Sequence, residues 1–290
     1  MHISHVPLFP LSVLLSLLTA LLVWMLPASA DSPSGYRLGW SEECDGPVGS
    51  PPNPAHWSYD LGDNGWGNAE LQSYVGDLEH AQIVADPAAT SGKALQITLT
   101  YNGQGLSHGN FLSARLLTQG KVSFQYGYVE ARLRLPVGQG IWPAFWMLGT
   151  DIGEKGWPAC GEIDIMENRG DKPGWNASSL HGPGYSGSSP LSGEYNLPDR
   201  QEFNDAYHTF GILWEPGSIT SFVDGIPYVT QTAADIPGKT WAFDHPFFFL
   251  VNLAVGGHFS GLPNEATVFP QTLRLDYIRV YQSQAPPENA

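Results

Sequence analysis

The chain reads as an all-β sandwich of a single large domain, and three observations predict it. Short apolar segments alternate with polar residues at a period of two, the signature of half-buried strands. Glycine (33) and proline (24) punctuate these segments, as turns between strands require. Beyond the first thirty residues, no long stretch sustains the 3.6-residue periodicity of a helix.

Residues 1–30 read as a secretory signal, with an almost unbroken apolar run over 11–26 and a small-x-small ending, Ala28-Ser-Ala30, before Asp31. The leading segment lacks Lys and Arg, so an uncleaved anchor is the alternative. No later segment is long and apolar enough to span a bilayer, so no stable membrane association is expected after cleavage. Residues 31–36 read as a short linker, 37–282 as one catalytic domain, and SQAPPENA at 283–290 as a polar tail. Within the domain, YVEARLRL (128–135) sets Val129, Ala131, Leu133 and Leu135 against Glu130, Arg132 and Arg134, which predicts one wet face. ITSFVDGIPYV (219–229) carries Asp224-Gly225 at its centre, a two-residue hairpin signal. PFFFLVNLAV (246–255) reads as a buried central strand interrupted by Asn252, which must find buried partners or face a cleft.

The chemistry concentrates in CGEIDIMENR, residues 160–169. Glu162 and Asp164 share one strand face, and the next position on it is Met166. A one-residue β-bulge at Met166 would return Glu167 to the acidic face. Three neighbouring carboxylates resist joint ionisation, so the arrangement is costly and calls for a function. Glycoside hydrolysis needs one protonated and one ionised carboxyl group flanking the scissile bond. Glu162 and Glu167 then lie roughly 13 Å apart along the backbone, and inclined side chains would close this to the roughly 5–5.5 Å of a retaining mechanism. Asp164 between them would push the two pKa values apart. Hard cations also take carboxylates, but no His or further acid follows at short spacing.

The run resembles the catalytic motif of family-16 glycoside hydrolases, E-x-D-x-x-E in its bulged form. GWGNAELQSY (65–74), SARLLTQGKVSFQYGYVEARLRLP (113–136), GIWPAFWMLG (140–149), YHTFGILWEP (207–216) and LVNLAVGG with FPQTLRLDYIRVYQ extend the resemblance over nearly the whole chain after residue 30. The bulge and the GWGN segment resemble the laminarinase branch, endo-β-1,3-glucanases, rather than lichenases. The resemblance implies a jelly roll of two curved antiparallel sheets with a concave substrate cleft. It implies Glu162 as nucleophile, Glu167 as general acid/base and Asp164 as helper. It places Trp142 and Trp146 in the cleft as stacking platforms and Asn68 as a sugar contact. Arg115 either hydrogen-bonds substrate or pairs with an acid, and His181 sits near Glu167 or is structural, as His208 is expected to be. No catalytic cofactor is implied. A structural calcium is, from Asp276 with Glu43 and Gly92 as carbonyl donors. Ala69, Cys44 and Phe259 depart from the family pattern, Phe259 standing where Trp is common.

A net charge of −15 argues against nucleic acid and anionic membrane surfaces as partners and disfavours anionic polysaccharides. A neutral β-glucan is the expected partner, bound by a monomer in the extracellular or periplasmic space. Ten tryptophans suit both a carbohydrate cleft and a large core. A transglycosylase or a non-catalytic glucan-binding lectin would use the same sandwich. Cys44 and Cys160 permit one disulfide, or Cys160 is a buried thiol. Asn176-Ala-Ser178 is a glycosylation sequon, meaningful only in a eukaryotic secretory pathway.

Overall fold

A computed structural model describes residues 34–284. The expected signal at 1–30 and most of the expected tail lie outside these residues. The linker and tail bounds shift inward, because a strand begins at Tyr36 and the last one continues through Ser283.

Two sheets face each other across one apolar core. The first runs, in spatial order, Leu191–Asn196, Trp175–His181, Glu162–Glu167, Ile141–Gly149, Phe247–Val255, Arg115–Leu117 and Ser58–Tyr59. The second runs Ile226–Thr232, Ser218–Val223, His208–Glu215, Gly127–Arg134, Gln271–Ser283, Lys93–Tyr101, Phe111–Ser113 and Gln72–Tyr74. Neighbours in both orders run antiparallel except the last two strands of the second, which are parallel. This is the expected jelly-roll sandwich. No helix of the described residues is long and apolar enough to cross a membrane.

Alternation explains the layering. In Ile141–Gly149 the odd positions Ile141, Phe145 and Met147 enter the core, and the even positions Trp142 and Trp146 remain half-exposed on the other face. Phe247–Val255 lies centrally, between Ile141–Gly149 and Arg115–Leu117, and every residue in it is buried. The hairpin forms at Asp224-Gly225, both with positive φ (50° and 72°), as a primed two-residue turn needs.

One expectation changes and two open points resolve. Glu130 does not face water: it is 1% exposed and accepts hydrogen bonds from the hydroxyls of Tyr128 and Tyr277. Tyr128 of the same strand and Tyr277 of the neighbouring one cover the face that alternation alone marks as wet, and burial pushes the Glu130 carboxyl above its usual range. The two cysteines are free thiols, both buried. Asn176 of the sequon is fully buried and donates to the Tyr228 hydroxyl, so the folded chain offers no amide there for a glycan.

Candidate active site

The strand Glu162–Glu167 carries the bulge. Asp164 opposes Trp146 on one side and Ser179 on the other, whereas Glu167 opposes Ala144 and Ala177. The extra residue falls at Ile165–Met166, and both side chains are fully buried in the core. The acids therefore emerge together on the cleft face while three apolar neighbours, Ile163, Ile165 and Met166, fill the interior. One row of the sheet reads Arg115, Asn252, Ala144, Glu167, Ala177, Glu194. The two alanines beside Glu167 leave its carboxyl unobstructed toward the cleft.

All three carboxyls are held above their usual range. Burial pushes Glu162 up to about 8, with the Asp164 charge adding to it. Burial likewise raises Asp164. Glu167 is raised well above its ordinary value by burial, then by Asp164 and Glu162. The hydrogen-bond donors are unequal. Trp157 Nε1 donates to Glu162 Oε2 at 2.8 Å, and Trp142 Nε1 donates to Glu167 Oε1 at the longer 3.2 Å. A closer donor favours the ionised form, so Glu162 is the better anion and Glu167 the better acid.

His181 opposes Glu162 across the strand pair, with Nε2 3.1 Å from Asp164 Oδ2 and 3.8 Å from Glu162 Oε1. It thus lies nearer to Glu162 and Asp164 than the expected approach to Glu167. Ligand atoms of Glu162, Asp164 and His181 fall within 4.8 Å of one another, a spacing that would suit a cation. The Gly187 amide, however, donates to His181 Nδ1. That assigns the ring proton of the neutral imidazole to Nε2, which leaves Nε2 no lone pair for a metal.

The aromatic lining is built in two groups. Trp146 Nε1 donates to Asn252 Oδ1 at 2.7 Å, and Asn252 Nδ2 donates to the Tyr74 hydroxyl. Asn252 thus finds partners on the cleft side of the buried strand. Arg115 is ion-paired to Asp60 at 2.9 Å and lies between the faces of Trp66 and Trp146, at 4.5 and 4.7 Å. The acid-pairing alternative for Arg115 holds here, with a cation–π role added. At the other end Phe259 packs against Trp142 (4.7 Å) and Trp175 (6.0 Å), so the residue that departs from the family pattern completes a three-ring group.

Segment 65–74 is stitched to the end of the central strand through Leu71 N to Val255 O and Val255 N to the Gln72 side chain. It sets Asn68 beside Glu70, to whose carboxylate the Asn68 amide donates. Glu70 is buried, and burial raises its carboxyl although Asn68 and Gln72 both donate to it. Trp157 and Glu70 escaped the sequence reading. Trp157 sits five residues before Glu162 in a turn, beyond any strand pattern, and Glu70 looks like one more acid of a polar loop. His208 is structural, as expected, bonded to Asp224.

The expected calcium does not fit the donors found. Asp276 is 1% exposed, and its carboxylate already accepts from the Thr90 amide and hydroxyl and is ion-paired to Arg132. The guanidinium of Arg132 supplies the positive charge that a cation would bring to Asp276, and the Gly92 carbonyl already accepts from the Asp86 amide.

A sandwich sheet with three acids on one bulged strand, flanked by tryptophans, defines a glycoside hydrolase of the jelly-roll class. The family description "Glycosyl hydrolases family 16" matches residues 79–268. The laminarinase catalytic domain of Thermotoga maritima MSB8 superposes with a TM-score of 0.77 at 40% identity, covering 86% of this chain and 99% of that one. The beta-glucanase of Rhodothermus marinus is 36% identical over 267 residues, 87% of each chain. The glucan endo-1,3-beta-glucosidase A1 of Niallia circulans is 34% identical over 87% of this chain, which spans only 38% of that relative's length. The chain belongs to family 16 of the glycoside hydrolases and is of the laminarinase type.

Proposed function

We propose that the chain is a secreted, monomeric, retaining endo-hydrolase of neutral β-1,3-glucans. The observation that carries this reading is the unequal setting of two glutamates on one bulged strand. Glu162, with the short Trp157 N–H bond, attacks the anomeric carbon. Glu167, which holds its proton more tightly, delivers it to the departing glycosidic oxygen. The glycosyl ester on Glu162 is then opened by water that Glu167 deprotonates, and the configuration is retained. Asp164 keeps the two glutamates from ionising together. Trp142 and Trp146 offer faces on which the C–H surfaces of glucose rings stack. Secretion is supported by the signal-like residues 1–30, and a neutral substrate by the net charge of −15.

The test is azide rescue of Glu167→Ala with an activated aryl β-glucan substrate. The ester still forms, and the small anion enters the space left by the carboxyl, so β-glycosyl azide is expected. Glu162→Ala should instead give the α-azide. Swapped anomers would reverse the roles, and an inverted first product from the wild type would remove the covalent intermediate. Product analysis on laminarin and lichenan separates β-1,3 from mixed-linkage cleavage.

A further inference from the structure

His181 carries a second observation that the acid chemistry above does not use. A backbone N–H is an obligatory donor, so the Gly187 amide 3.1 Å from Nδ1 requires a bare lone pair there. The neutral ring must then hold its single proton on Nε2. Protonating Nδ1 as well would set two N–H groups against each other. The lock comes from outside the catalytic strands: Gly187 belongs to the turn after Trp175–His181, which Gly182 and Tyr185 close on itself by reciprocal backbone bonds. Gly187 has a φ of +62°, a conformation that suits glycine.

The Nε2 proton faces two carboxylates. Nε2 is 3.1 Å from Asp164 Oδ2 and 3.8 Å from Glu162 Oε1. Asp164 Oδ2 is buried and makes no hydrogen bond. The N–H therefore lies between the two acids without being committed to either. The other charged groups acting on this cluster are Glu167 on the same strand as the two acids and Arg115 three strands away in the sheet.

We propose that His181 is a positioning residue, locked by the Gly187 amide with its proton on Nε2, which supplies one N–H to Glu162 while that residue is ionised and to Asp164 Oδ2 once it is not. The proposal rests on the two-step reading given above. While Glu162 is the anion, the N–H leans toward it and helps keep it charged. Once Glu162 becomes a neutral glycosyl ester, the same N–H turns to Asp164 Oδ2, which accepts it while Asp164 keeps its own proton and the negative charge stays on Glu167. No proton leaves His181 in either step, and a modest ring rotation exchanges the partners.

The direct test is the tautomer, read from the imidazole nitrogens of the full chain labelled with 15N-histidine, with His181 assigned by its loss in His181→Gln. A protonated Nε2 and a bare Nδ1 are expected. A proton on Nδ1 overturns the proposal. The kinetic arm compares His181→Ala with His181→Gln, whose amide restores a donor near the Nε2 position. The alanine variant should lose about tenfold in kcat with KM little changed, the scale of one charge-assisted hydrogen bond. Its acid limb should move up by about one pH unit, because losing the donor raises the pKa of the nucleophile. The glutamine variant should recover most of both. A purely structural role would lower the melting temperature and scale the rate at every pH. A limb that stays in place, or a glutamine variant no better than alanine, sinks the idea. The spectrum needs no substrate, so it separates a failed tautomer from a failed glucan reading, which would show as a wild type silent on laminarin.

Discussion

Asp164→Asn should make the protein more stable at alkaline pH while destroying its activity. Asp164 is 3% exposed, and burial lifts its pKa from 3.8 to about 8. The folded state therefore keeps a proton that the unfolded chain loses. Unfolding releases that proton between these two values, so stability falls as pH rises through the window and levels off above it. In a single isolated acid a rise of this size costs about 6 kcal/mol once the charge is forced. Three acids interact here and solvent reaches the outer two, so we take about 2 kcal/mol as the part an asparagine would recover. At about 2–4 °C per kcal/mol for a domain of this size, the melting temperature should rise by about 4–8 °C at pH 9. The gain should shrink toward zero below about pH 3, where the wild-type group is protonated in both states. Calorimetry of both proteins across this range is the assay. A pH-independent difference, or a variant less stable at pH 9, would refute the account of the acidic face.

Trp142→Ala should lower kcat as well as weaken laminarin binding, because the indole both lines the cleft and donates to Glu167; together about tenfold or more in kcat/KM is expected, about 1.4 kcal/mol of barrier. A large fall in melting temperature with unchanged kinetics would make it a core residue instead. Chelation by EDTA should leave the melting temperature unchanged, because Arg132 already neutralises Asp276. Asp276→Asn, by contrast, should cost about 3–5 kcal/mol, since it leaves a mostly buried guanidinium without its partner. A melting temperature that falls with chelator and returns with calcium would show that a cation does sit there.

The elements easiest to read in the sequence were those governed by period. Ile163, Ile165 and the offset of Glu167 announced a bulged strand because a two-residue repeat admits only one way to bring a displaced acid back to its face. Phe247–Val255 was legible because a continuous apolar run fits only a strand covered on both sides. Glu130 was misread because alternation marks a face without saying what covers it; Tyr128, two residues earlier on that face, and Tyr277 from the next strand decide its burial. The same limit hid Trp157, whose hydrogen bond to Glu162 depends on the path of a turn. Arg132 and Asp276 are separated by 144 residues and meet only through the pairing of their strands. The unshared proton of His181 was equally out of reach, since a tautomer is set by a backbone amide in three dimensions.

The two buried thiols make the molecule its own recorder of how it comes apart. Cys44 lies in the large core between the sheets, whereas Cys160 lies among Leu148, Phe248 and Leu250, just before the catalytic strand. A thiol reagent can reach neither without an opening, and burial holds both thiols above their usual range until one occurs. Labelling under native conditions, followed by mass analysis of the two positions, therefore times two separate events. If Cys160 is labelled sooner than Cys44, the end of the catalytic strand loosens before the sandwich parts, and the enzyme would lose its active site while still folded.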